Sequence, residues 1–160
     1  MHIVERSFIN HSVDEVWPVL VSSDLFAQWN THVKSMNIQG PFLEGAQFWT
    51  TYSWKGNDSQ CRTTVLRVVA PELIVLQHSE FQSAQLPAGM IAEERIQVRK
   101  KGSGTEVRKD IRVRGGGEPW IVSVLAWWVT RFGTRSEPDP LPPLVENVLN
   151  RKLNSNMFSA

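Results

Sequence analysis

Four polar side chains stand on strand faces that are otherwise apolar, and their types suit proton transfer. His78 lies in Leu76-Gln77-His78-Ser79-Glu80 and shares its face with Ile74 and Leu76. Glu94 shares a face with Ile96 and Val98, Lys109 with Val107 and Ile111, and Tyr52 with Phe48 and Trp54. If those faces point inward, His78 and Glu94 form a general acid/base pair, and Lys109 and Tyr52 orient a carbonyl or phenolate. The plainer reading places each of them at a strand end, or outside, because a one-residue register slip moves every side chain to the opposite face.

Other chemistry finds little footing. His2, His11, His32 and His78 are far apart in sequence, and no pair has the spacing of a metal site. No phosphate-binding loop, dinucleotide fingerprint or nucleophile elbow is present. Gly115–Gly117 precedes a helical pattern but no lysine follows, so it reads as a strand-to-helix turn rather than an anion cradle. We expect neither cofactor nor metal. The single cysteine, Cys61, excludes a disulfide within the chain and points to a reducing compartment. Without an evident activating base it reads as a buried structural residue.

The elements that must position these residues follow from periodicity. Residues 2–10 read as a strand. Ser12-Val13-Asp14-Glu15 is a capping-box pattern, and Val13, Val16, Trp17 and Leu20 continue at helical spacing, with Pro18 keeping that helix short or kinked. A second short helix runs from Leu25 to Trp29, closed by Asn30. Strands are expected over 33–39, 46–54, 61–69, 73–79, 90–101 and 105–114, with Gly102-Ser103-Gly104 as a hairpin turn. In the last strand Val107, Lys109, Ile111 and Val113 face one way, and Glu106, Arg108, Asp110, Arg112 and Arg114 the other. That alternation suits an antiparallel sheet with one wet side.

Trp120 to Phe132 is apolar nearly all round and reads as a buried helix. The prolines from Pro138 to Pro143 read as a kink or loop, and Leu144, Val145, Val148, Leu149 and Leu153 form a helical stripe after it. A meander of strands cannot cover its own apolar face. The C-terminal helical segment is the one element long and apolar enough to do so, and the two short helices must close one end.

The fold class is therefore α+β. A curved antiparallel sheet of about six or seven strands carries two short helices after its first strand and a long C-terminal helix over its concave face. One domain spans residues 1–160. The walls of a ligand cavity would be Phe48, Tyr52, Trp54, Leu76, Ile96, Ile111, Trp120, Val124 and Trp128. Net charge is only +1, which disfavours nucleic acid. The longest apolar run is too short for a membrane span. The N-terminus has no apolar core of a secretory signal, so the cytoplasm is the expected location. The Trp-rich helix leaves one side for a second copy, so a homodimer is open.

Several segments in order resemble the START-like (SRPBCC, helix-grip) superfamily in its polyketide cyclase/dehydrase-like branch. Phe8–Leu20 is similar to its opening strand and helix, and Leu25–Asn30 to its second short helix. Gly40–Phe48 resembles its loop-to-strand step, and Val65–Leu76 its strand, proline turn and strand. The proline cluster departs from the unbroken final helix of that family. The resemblance implies a cavity between sheet and C-terminal helix that takes apolar ligands such as lipids, quinones or polyketides. With aromatic-rich cavity candidates and no convincing catalytic set, binding without catalysis is the main reading. A cyclase, aromatase or dehydratase is the alternative, and a protein-interaction module using the Trp-rich helix is a second.

Overall fold

The computed structural model describes residues 2–30, 32–54, 57–82, 89–114 and 138–157. Seven strands form one antiparallel sheet, curled as a half-barrel. They are β1 (His2–Ile9), β2 (Val33–Met36), β3 (Gln47–Trp54), β4 (Asn57–Val69), β5 (Leu73–Gln82), β6 (Ile91–Lys101) and β7 (Gly104–Arg114). Helices α1 (Val13–Val21) and α2 (Ser23–Trp29) follow β1, and α3 (Leu141–Met157) ends the described chain.

The strand order is β1-β7-β6-β5-β4-β3-β2. Strands β2 to β7 are the expected meander, but β1 pairs with β7 and not with β2. The two short helices carry the chain from one edge of the sheet to the other. That crossing explains why they sit back to back. In α1 the Glu15 carboxylate accepts from the Ser12 backbone N–H at 2.8 Å, the capping-box bond the sequence implied. Pro18 lies inside α1 and removes one of its hydrogen bonds.

Side chains at helical spacing on α1 (Val16, Val19, Leu20) and α2 (Phe26, Trp29) are buried against the inner sheet face, with Val65, Ile74, Leu76, Ile96 and Val107 opposite. An aromatic run knits this core: Trp29 against Phe26, Phe26 against Phe42, and Phe42 stacked on Phe48 at 5.9 Å. Helix α3 adds Leu141 and Val145. The proline cluster divides differently from the expected kink. Residues 138–140 precede α3, while Pro142 and Pro143 occupy its first turn, where a missing N–H costs nothing. The expected helix over Trp120–Phe132 lies outside the described residues.

The outer face of β6 and β7 is less wet than its alternation suggested. Glu106 and Asp110 are buried, and each is covered by charged partners rather than by core. Arg99 and Lys101 hold Glu106; Arg108 and His2 hold Asp110.

Gly104, at the start of β7, meets the end of β1 so closely that a Cβ there would stand 2.3 Å from the Ile9 carbonyl oxygen. Gly104→Ala must push β1 away from β7. A loss of about 1–3 kcal/mol in unfolding free energy is expected, read by urea denaturation. An unchanged midpoint would mean that this edge yields freely.

Candidate functional site

Three of the four candidate polar residues meet on the inner face of the sheet. Tyr52 comes from β3, His78 from β5 and Glu94 from β6, with β4 running between the first two. The register explains the meeting. Thr63 of β4 pairs with both Phe48 and His78, and Glu94 pairs with Leu76, two residues before His78. Side chains two apart on a strand share a face, so imidazole and carboxylate meet diagonally.

The His78 Nε2 lies 3.3 Å from Glu94 Oε2, and both side chains are buried. The other Glu94 oxygen accepts from the Asn30 amide at 3.2 Å. On the far side of the ring, Nδ1 lies 3.0 Å from the Thr63 hydroxyl, which lies 2.7 Å from the Thr50 hydroxyl. The Cys61 sulfur is 4.0 Å from the same nitrogen. The Tyr52 oxygen is 3.4 Å from each ring nitrogen, and the two rings meet edge to face. Beyond His78 the strand is irregular: Glu80 takes φ 52 at a bulge between β4 and β5. Bulges often re-aim side chains beside functional sites.

These contacts set the charges. Burial alone would strip the proton from His78. The Cys61 sulfur and the Glu94 carboxylate outweigh it and push the imidazole up to about 9. Burial alone would likewise raise Glu94. His78, with help from Lys109 and Asn30, instead holds its carboxyl below the usual range. Near neutral pH the pair is an imidazolium beside a carboxylate. Burial and the nearby Glu94 push the Tyr52 phenol well above its ordinary value, so it keeps its proton.

Lys109 is on the inner face as expected, but its ammonium is 2.6 Å from Glu5 and outside the direct contacts of the cluster. Of the expected cavity walls, Phe48, Leu76 and Ile96 are buried in the core, while Tyr52 and Ile111 are partly exposed. Trp54 lies in β3, but its side chain lies outside the described residues, as do Trp120, Val124 and Trp128. Asn30, Thr50 and Thr63 were not singled out from sequence. Thr50 stands between Phe48 and Tyr52 on one alternating face, which was the available signal. Cys61 is buried, as expected, yet it borders the cluster. Among the described residues no group of three or more His, Cys, Asp or Glu is arranged to hold a metal. No helix among them is long and apolar enough to cross a membrane.

Residues 10–118 match the family model described as Activator of Hsp90 ATPase homolog 1-like protein. The chain belongs to this family. The family is START-like, so the superfamily read from the sequence holds. Solved structures agree at the level of the fold. A START superfamily protein from Mycobacterium smegmatis is 15% identical with a TM-score of 0.62, over 92% of this chain and 98% of that one. The Aha1 dimer from Colwellia psychrerythraea is 16% identical with a TM-score of 0.50, over 81% and 89%. DynU16, a protein of the dynemicin biosynthetic locus, is 16% identical with a TM-score of 0.59, over 91% of this chain and 47% of that one. No curated protein matches in sequence.

Proposed function

We propose that this member of the family binds a small, mainly apolar ligand against the inner face of the sheet, with the Tyr52–His78–Glu94 cluster meeting the ligand's one polar end. START-like folds typically bind hydrophobic ligands, which supports the general class. The observation that carries the reading is the gathering of a phenol, an imidazolium and a carboxylate on an inner face that also carries Phe48, Leu76 and Ile96. Burying such groups is costly, and a cluster held in place for stability alone could have been replaced by apolar side chains. Small-molecule sites typically pair apolar walls with a few convergent polar groups.

Two measurements test this. A native mass spectrum of the purified protein should show a species heavier than the chain, and the excess should vanish on denaturation. Titration with the neutral fluorophore N-phenyl-1-naphthylamine should saturate at one site per chain. A bare chain mass together with unsaturable dye binding would sink the reading.

The His78–Glu94 contact also favours a second reading, proton transfer on a bound substrate, with His78 as acid and Tyr52 as orienter. In that case His78→Gln would abolish turnover while dye binding persisted. Turnover kept in His78→Gln would dismiss it.

A further inference from the structure

Within the cluster the donors and acceptors can be followed atom by atom, and among the described residues one donor is left over. Each imidazole nitrogen offers a single in-plane direction. Nδ1 directs its own to Thr63 and Nε2 to Glu94. Thr63 is engaged in turn with Thr50, and the second Glu94 oxygen with Asn30. Tyr52 reaches both ring nitrogens at 3.4 Å, equidistant and therefore aligned with neither. Its phenolic hydrogen is thus not spent on the imidazole. A half-buried donor without an aligned acceptor among the described residues is open to an oxygen from outside the chain, which a ligand supplies by displacing water.

Among the described residues the charges around the cluster also balance. His78 is matched by Glu94 and Lys109 by Glu5, both pairs on the inner face. Lys100 shares that face but is exposed at the end of β6. A carboxylate, phenolate or ammonium entering here would bring an uncompensated charge into a mostly apolar place, which is strongly unfavourable. We infer that the ligand's polar end is an uncharged acceptor oxygen, such as a ketone, ester or quinone carbonyl, and that Tyr52 is the residue that donates to it. This rests on the proposed binding role and adds the chemical class of the ligand.

The test uses the full chain at pH 7 and one carbon skeleton with four ends: 2-acetylnaphthalene, 2-ethylnaphthalene, 2-naphthoic acid and 2-naphthylmethylamine. Each competes with N-phenyl-1-naphthylamine. The ketone should bind roughly threefold to tenfold tighter than the hydrocarbon, the value of one hydrogen bond. It should exceed the acid and the amine by roughly tenfold or more. Tyr52→Phe should erase the ketone's advantage and leave the hydrocarbon's affinity within about twofold. In the unaltered protein, the carbonyl carbon of bound ¹³C-labelled 2-acetylnaphthalene should lie downfield of its position in cyclohexane, as it does on accepting a hydrogen bond. That readout stands even if Tyr52→Phe folds poorly. An acid or amine that binds as well as the ketone, or a bound carbonyl carbon that stays at its cyclohexane position, overturns the assignment while leaving ligand binding intact. If the dye itself fails to bind, the binding role falls, and this inference with it.

Discussion

Glu94→Leu should lower the unfolding free energy at pH 7 by about 3–5 kcal/mol, and adding His78→Leu should restore most of that loss. Glu94 is 3% exposed and His78 4%. Removing one partner leaves an imidazole facing leucine, with neither the carboxylate that favours its charge nor an acceptor for its Nε2 proton. The Asn30 amide also loses its acceptor, at about 1–3 kcal/mol for a buried donor. In the double variant the imidazole is gone, and two leucines extend a core that already holds Leu76 and Ile96 beside them. Of the groups that touched the pair, the Asn30 amide loses its acceptor, while the Thr63 hydroxyl keeps Thr50. Urea denaturation of the two single variants, the double variant and the parent forms a cycle, with a coupling of roughly 2 kcal/mol or more expected. Additive losses would mean that imidazole and carboxylate do not depend on each other. The same cycle bears on function. If the double variant is nearly as stable as the parent yet binds no ketone, the pair is kept for its ligand and not for the fold.

The pair shows what can be read in a chain before it folds. Period-two alternation placed Tyr52, His78, Glu94 and Lys109 on apolar faces, and all four lie on the inner face. Alternation is a property of each strand alone, so it holds without knowledge of the neighbours. It does not say which strand lies beside which. His78 touches Glu94 because β5 pairs with β6 in a particular register, and Lys109 turns to Glu5 because β1 closes against β7. The β1–β7 pairing joins residues about a hundred positions apart, and nothing local announces it. Asn30 was legible as a helix cap, and its backbone N–H does donate to Phe26. Its side chain reaches Glu94 only because α2 folds down onto the sheet. Thr50 and Thr63 escaped notice because threonine is an ordinary strand former, and only the partner across the strand turns one into a relay. Cys61 was read correctly as buried, but its contact with the imidazole required the bulged pairing of β4 with β5.

The second large effect is on pH. His78 is held up to about 9 in the folded chain, against an ordinary 6.5 once unfolded. A group whose folded value is raised contributes its stability in full below the unfolded value and loses it as pH rises through the folded one. The protein should therefore lose stability between pH 6.5 and 9, by up to roughly 1.4 kcal/mol for each unit traversed. Glu94 works in the opposite sense. Its folded value is depressed, so its contribution is present above about 4.5 and disappears as pH falls through the lowered value. Together the two predict a plateau between the acid limb of Glu94 and the alkaline limb of His78, with its upper corner near pH 6.5. Urea midpoints taken from pH 3 to 10 should trace that shape. His78→Gln should flatten the alkaline limb while lowering the plateau. If the parent and His78→Gln fall in parallel above pH 6.5, the proton on His78 is not what the fold loses. The charge-balance argument for a neutral ligand would then lose its cation, whereas a limb that vanishes with His78 would place that cation beside Tyr52, where an entering carbonyl would meet it.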